Sequence, residues 1–422
     1  MILTIEKIVY PGKSLARKDG KVIFSDEGLP GETIEASILK ETKNYVQCKT
    51  TGIITPSPYR QAPACDHYEA CSLYQYIDYP YQVEIKKEQL LEMLTRQAKI
   101  DMPNIDFRSS NKTWGYRNKI KLNIIWKDKR PVLAYNMPGF IDQFIPIDKC
   151  LLSPERTNLF LTEFIEVVAA KSLEAIKEVT VRENSKNELL AIIQHDSSLN
   201  IGSVPLAFQH LLKKFPISGL ILIDQETLKK TIVSGDDFFK EKINDIELYI
   251  GSGSFFQINT DMLSILIKDL RGNLGLSSEK VLADLYCGVG TFGNILSSNV
   301  KRVIGVESEP ENFFFMEKNI KLNNIKNFDV SLCDCRSAID SVLNKKIDIA
   351  IIDPPRKGID ISISHTLSRS GPQELAYISC NPATLVRDLK ILISSYDIKS
   401  LFAYDFFPHT PHIEVMVLLR KK

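Results

Sequence analysis

Residues 281–419 alternate short apolar runs with stretches of helical character: VLADLY (281–286), KRVIGVE (301–307), FDVSLC (328–333), IDIAIID (347–353), ELAYIS (374–379) and HIEVMVLL (412–419). A strand buried on both faces reads as a continuous apolar run, and parallel neighbours need crossover helices between them. The last third is therefore expected to form a doubly covered parallel sheet of the α/β class. Ligands bind such a sheet in the crevice beyond the carboxyl ends of its strands.

Residues 1–55 read differently. The runs LTIEKIVY, KVIFS, TIEASILKET and NYVQCKTTGII are separated by Gly- and charge-rich turns, as in a small closed β-barrel. TPSPYRQAPAC (55–65), with three prolines among polar residues, marks a boundary. The spacing of Val83, Leu90, Leu91, Leu94 and Ala98 predicts a helix over 81–100. Strands such as YRNKIKLNIIW and ELLAIIQH predict an α+β middle region between about 115 and 255. With 53 basic and 52 acidic side chains the net charge is +1, so contact with nucleic acid needs a local patch. Glu6 and Lys7 interrupt the first apolar residues, and no run approaches the ~18 that span a bilayer. Eight cysteines in 422 residues do not read as a disulfide scaffold. A cytoplasmic chain with no membrane segment is expected.

The carboxyl edge of the sheet gathers chemistry. VLADLYCGVGTFG runs from a strand through a Gly-rich turn into a helix, and Gly288 and Gly290 let backbone approach a ligand closely. Glu307 ends the next strand, where a carboxylate can accept hydrogen bonds from ribose hydroxyls. Asp334 ends the third, placed to meet the exocyclic amine of an adenine. No third dinucleotide glycine and no Walker lysine follow, so a nucleoside-bearing cofactor is the reading. IDPPRKG ends the fourth strand at Asp353, and its two prolines hold the chain rigid and extended. Cys380 ends the fifth in ISCNPATLVRDL, with Asn381 and Pro382 opening a helix whose positive end favours a thiolate. Glu414 sits between Ile413 and Val415, and a carboxylate in an apolar strand is costly unless it faces a pocket or partner. His409 and His412 read as structural. In WGYRNKIKLNIIW, strand periodicity puts Arg117, Lys119 and Lys121 on one face and Tyr116, Ile120, Leu122 and Trp126 on the other. Cations beside aromatics suit RNA, although any solvated strand can carry a charged face.

Together GSFFQIN, DLYCGVGTFG, DPPRKG, SCNPATL and HTPHIE resemble the ordered signature of the folate-independent RNA uracil-5-methyltransferases, and the similarity spans the whole chain. The resemblance implies a TRAM (OB-like) RNA-binding barrel at 1–58, an α+β middle domain with a cysteine segment at 59–254, and a class I methyltransferase domain at 255–422. It implies S-adenosylmethionine (SAM) as methyl donor, Cys380 as nucleophile at uracil C6 and Glu414 as the base that removes the C5 proton. By the same carry-over, Gln257, Tyr286, Thr291, Glu307, Asp334 and Asp353 line the cofactor and base pocket, with Asp353 and Gln257 at the uracil edge. The TRAM module belongs to the ribosomal branch, so 23S ribosomal RNA is the expected partner, with transfer RNA as the alternative and no obligate protein partner implied. In many relatives four cysteines hold a [4Fe–4S] cluster; Cys65, Cys71 and Cys150 match three of them and Tyr74 stands at the remaining position. An RNA cytosine-5-methyltransferase would carry Pro-Pro-Cys on the fourth strand, where this chain has Pro355-Arg356. A methylase of exocyclic amines would not need Cys380, and a silent RNA-binding assembly factor would need neither Cys380 nor Glu414.

Overall fold

The computed structural model describes residues 1–102 and 105–422. The chain forms two compact units: Met1–Ser110 with Cys380–Arg387 and Phe402–Val415, and Asn111–Ser379 with Asp388–Leu401 and Met416–Lys422.

In the first unit, six strands between residues 2 and 55 form one sheet. Ile2–Thr4 pairs at one edge with Thr33–Glu35, and Lys7–Val9 pairs at the other edge with Lys13–Leu15. One continuous segment thus joins both edges and closes the sheet, which leaves no long edge strand unpaired. Period-2 alternation puts Leu3, Ala16, Ile23, Ile34, Ala36 and Val46 inside this barrel, with Ile5 and Cys48. Behind it, Arg60 forks onto Glu32 at 2.6 and 2.8 Å, and the backbone N–H groups of Leu29 and Ser57 donate to the same carboxylate at 2.7 and 2.9 Å. Burial pushes Glu32 upward, but Arg60 and these amides outweigh it and leave the carboxyl below its usual range. The predicted helix is present as Tyr79–Met93, continued by a wider turn over Leu94–Ala98 and stopped by Lys99 at φ 57°. Its buried face holds Gln82, Lys86 and Gln89 besides Ile85 and Leu90.

The second unit contains the expected α+β region. Its seven strands run in the order Phe144–Pro146, Arg130–Asn136, Lys119–Lys127, Ile176–Glu183, Leu189–His195, Ile217–Asp224, Lys230–Gly235. Helix Glu155–Ala170 packs Phe160, Leu161, Phe164 and Val168 into one core with Leu122, Ile124, Val179 and Val181. The strand begins at Lys119, three residues later than strand periodicity predicts. Arg117 and Asn118 donate their N–H groups to the carbonyls of Leu152 and Ile258, so the backbone leaves the ladder there.

Six strands of the last sheet are those the apolar runs predict; Tyr396–Tyr404 is a further strand the runs do not mark. The last strand brings its Lys421 end to Gln373 and Ser395, so the sheet is mixed at that edge. Its strands are β1 (Val281–Leu285), β2 (Arg302–Glu307), β3 (Phe328–Leu332), β4 (Ile349–Ile352), β5 (Glu374–Ser379), β6 (Tyr396–Tyr404) and β7 (Glu414–Lys421), in the order β3-β2-β1-β4-β5-β7-β6. β1 pairs in parallel with β2 and β4, β2 with β3, and β4 with β5. The order reverses between β1 and β4, and that switch point opens a crevice at the carboxyl ends. In the first unit, the end of β6, Phe402–Tyr404, pairs in parallel with Asp106–Arg108. Among the described residues no helix is long and apolar enough to cross a membrane.

Candidate active site

At the end of β1 the chain turns through Tyr286, Gly288 and Gly290, at φ 61°, 57° and 81°, and enters helix Thr291–Leu296. Tyr286 is not glycine, so holding it there costs on the order of 1–3 kcal/mol, a strain that clusters at functional sites. Gly290 is required twice over: its φ is left-handed, and a Cβ would stand 2.7 Å from Asn294 Nδ2 and 2.9 Å from Met316 Cγ. Glu307, 6% exposed, is fixed by three backbone N–H groups, from Gly288 at 2.7 Å and from Ser308 and Glu309 at 2.8 and 2.7 Å. A carboxylate offers about four lone-pair sites, so one acceptor position is left for a ligand hydroxyl.

The turn forms one wall of an open cleft with an empty volume of about 420 Å³. Five of the sequence-predicted residues line it: Gln257, Tyr286, Gly288, Thr291 and Asp353. The Gln257 amide hydrogen-bonds the Asp353 carboxylate, and burial pushes Asp353 upward. Asp284, inside β1, accepts from Gly293 N–H at 2.8 Å, while its Oδ1 is buried with no hydrogen-bond partner among the described residues. Burial pushes Asp284 up to about 7, with Asp353 and Glu307 adding to the rise. Asp284 was missed as a functional candidate, although an acid inside VLADLY is the same signal that singles out Glu414. Phe255, 65% exposed, and Phe256 complete the rim. Their segment is held by the middle sheet. Asn118 Nδ2 donates to the Gln257 carbonyl at 2.9 Å, and Arg182 donates to the Ser254 carbonyl.

Other expected residues lie elsewhere. Asp334 is exposed and caps helix Cys335–Leu343, accepting from Arg336 N–H at 2.8 Å. Gly290 shapes the turn without lining the cleft. Arg117 does not share a strand face with Lys119; its guanidinium lies 5.9 Å from the Tyr116 ring centroid. Lys121 pairs with Glu178 at 2.6 Å. Lys119 stands directly opposite Arg182 in the sheet; burial pushes it down to about 8, and Arg182 adds to the fall.

In the first unit, Cys380 is half-buried ahead of helix Pro382–Leu392, which Asn381 caps by accepting from Ala383 N–H at 3.2 Å. Glu414 is 1% exposed at the start of β7. His409 is buried at φ 63°; burial pushes it down to about 4, with Lys86 acting in the same direction, so it is neutral. The donor set does not fit the implied [4Fe–4S] cluster. Tyr74 is fully buried, its hydroxyl accepts from Gln89 Nε2 at 3.1 Å, and burial lifts its pKa far above the range where a phenolate would ligate. Cys65 Sγ accepts from Gln75 Nε2 at 3.1 Å, Cys71 Sγ lies 3.2 Å from Ser72 Oγ, and Tyr135 donates to Cys150 Sγ at 3.3 Å. Among the described residues no three His, Cys, Asp or Glu side chains are grouped to hold a metal.

The strand order, the left-handed turn at the switch point and the carboxylate locked at the end of β2 define a methyltransferase domain of the Rossmann-like class I. The fold is similar to that of Pyrococcus abyssi tRNA (uracil-54, C5)-methyltransferase in complex with S-adenosyl-L-homocysteine, at TM-score 0.78 and 24% identity over 99% of each chain. The chain belongs to the tRNA (uracil-5-)-methyltransferase family, whose model matches residues 78–422, and is a SAM-dependent RNA (uracil-5-)-methyltransferase. Among its relatives is an uncharacterized RNA methyltransferase of Bacteroides thetaiotaomicron, 28% identical over 97% of this chain and 98% of the relative. Another from Synechocystis is 28% identical over 99% of this chain and 95% of the relative.

Proposed function

We propose that the chain converts uridine to 5-methyluridine in 23S ribosomal RNA through a covalent intermediate on Cys380. Uracil C5 is a weak nucleophile. The Cys380 thiolate adds to C6, forming an S–C6 bond and moving the ring electrons toward C5. Bound SAM supplies an electrophilic methyl group. Once C5 carries that methyl, the Glu414 carboxylate takes the C5 proton, the C5–C6 double bond re-forms and the Cys380 thiolate leaves. Gln257 and Asp353 hold the uracil edge, and Glu307 accepts from a ribose hydroxyl of the cofactor. Because C6 is shielded in a stacked helix, the target nucleotide is flipped out or already single-stranded. The observation that carries this reading is Glu414, a carboxylate 1% exposed in an apolar strand, where only a proton-transfer or pairing role repays its burial.

The barrel at residues 2–55 supports a TRAM-like RNA-binding role and with it the ribosomal target. Transfer RNA is the second reading, favoured by the likeness to the Pyrococcus abyssi tRNA (uracil-54, C5)-methyltransferase. Mapping 5-methyluridine in ribosomal and transfer RNA from cells with and without the gene decides between them. Cys380→Ala is expected to keep cofactor and RNA binding but to lose turnover and the covalent complex with 5-fluorouridine RNA. Methylation retained by that variant would refute the mechanism.

A further inference from the structure

Helix Tyr79–Met93 buries three long polar side chains, Gln82, Lys86 and Gln89, on the same face as Ile85. Two of them, Gln82 and Lys86, lie one turn apart and are at most 1% exposed. Gln82 Oε1 accepts from His409 N–H at 2.9 Å. Gln82 Nε2 lies 3.0 Å from the Tyr74 carbonyl, 2.8 Å from the Ile77 carbonyl and 3.1 Å from His409 Nδ1. The His409 carbonyl in turn accepts from Tyr74 N–H at 2.9 Å. Lys86 Nζ donates to Asp405 Oδ1 at 2.6 Å, both side chains fully buried, and to the Phe407 carbonyl at 3.1 Å.

The Phe407 carbonyl also accepts from Thr410, from Oγ1 at 2.8 Å and from N–H at 3.1 Å. Thr410 Oγ1 accepts from His412 N–H at 3.2 Å, two residues before Glu414. Hydrogen bonds therefore run from Lys86 through Phe407 and Thr410 to His412, two residues before Glu414, while Gln82 holds His409 within the same turn. Within that turn His409 is held at φ 63°, a left-handed conformation that a histidine adopts only when its surroundings over-determine it. A buried ion pair adds little net stability compared with apolar residues of the same volume, so stability alone is a weak account of Lys86 and Asp405. A fixed geometry is the better account.

We infer that Gln82 and Lys86 are positioning residues for Glu414: they lock the turn 405–412 so that the carboxylate meets the C5 proton. The inference rests on the mechanism proposed above. Neither residue touches RNA or cofactor in this role, so losing either leaves binding intact and slows only the last proton transfer.

The test uses full-length protein with Gln82→Met and Lys86→Met, which keep volume and delete the hydrogen bonds, and with Thr410→Val, which keeps the branched shape and breaks the series closest to Glu414. Glu414→Gln serves as the control. Single-turnover reactions on RNA substrate are followed by denaturing gels for protein–RNA adduct, alongside steady-state kcat and KM. The expected result is a fall in kcat of about tenfold or more, KM values for SAM and RNA within about twofold of wild type, and accumulation of methylated adduct as in Glu414→Gln. Wild-type kcat and adduct levels in Thr410→Val and in whichever Met variants fold would overturn the positioning role. So would a kcat loss without adduct, because the earlier addition step would then be the one affected. If Glu414→Gln itself accumulates no adduct, the proposed mechanism fails instead, and the two failures are told apart.

Discussion

Asp284, fully buried inside β1 behind the turn, has the most testable side chain near the cleft. Folded, it keeps its proton up to about 7, whereas unfolded it releases it near 3.8. Between those values the folded state holds the extra proton, so stability falls as pH rises through that window. Asp284→Asn removes the titration. Its Tm minus that of wild type, both without cofactor, is expected to grow from about pH 5 to about pH 8. A difference that stays flat over that range would show that burial does not hold the proton on. Tyr74 yields a second prediction. Its hydroxyl is committed to Gln89, so protein purified in air is expected to carry little iron and still fold, and anaerobic reconstitution of Tyr74→Cys is the comparison. Stoichiometric iron surviving in the wild type would overturn that expectation. Gly288 and Asp353 stand out because each follows a strand end, whereas Gln257, Tyr286 and Thr291 come only from the family resemblance of GSFFQIN and DLYCGVGTFG. Asp334 follows the third strand as expected, and its carboxylate also caps the next helix through the 2.8 Å bond from Arg336 N–H, a second role that the sequence pattern does not separate from the first.

Among elements, the turn between β1 and helix Thr291–Leu296 concentrates the strain. Gly290→Ala would place a methyl 2.7 Å from Asn294 Nδ2 at a φ of 81°, so Asn294 and Met316 would have to move. We expect weaker SAM binding, by about tenfold or more in calorimetry, with the parallel sheet intact by circular dichroism. Unchanged affinity would mean the turn tolerates the shift. The parallel strands were legible as unbroken apolar runs because burial on both faces leaves no alternation to misread. Helix Tyr79–Met93 was found at nearly its true start but with its face misjudged. Its inner positions include Gln82, Lys86 and Gln89, and apolar periodicity cannot see a buried side chain whose partners lie some 320 residues away, as for Lys86 and Asp405. The strand after Trp114 failed for a related reason: Arg117 and Asn118 spend their N–H groups on the carbonyls of Leu152 and Ile258, pairings no local pattern encodes.

For the whole molecule, the sequence divides by composition while the structure divides by contact. Barrel, helix Tyr79–Met93 and the segments Cys380–Arg387 and Phe402–Val415 share one unit, tied by Gln89 to the Ile8 carbonyl at 3.0 Å and by Lys7 to Glu92. Removing residues 1–58 takes away Lys7, Ile8 and Glu32 together. Such a truncation is expected to lower Tm by several degrees or to leave insoluble protein, not merely to weaken RNA binding; wild-type Tm in the truncated chain would refute this. The make-up of that unit also has a consequence in time. At ~5–20 residues per second, a ribosome finishes Met1–Ser110 and then works for tens of seconds before residues 402–415 emerge. Throughout that interval Gln82 and Lys86 wait without His409 and Asp405, in a nascent chain that has its barrel but not the turn those two residues hold. The order of synthesis therefore leaves two side chains that end up buried without their partners until residues 405–409 have been made.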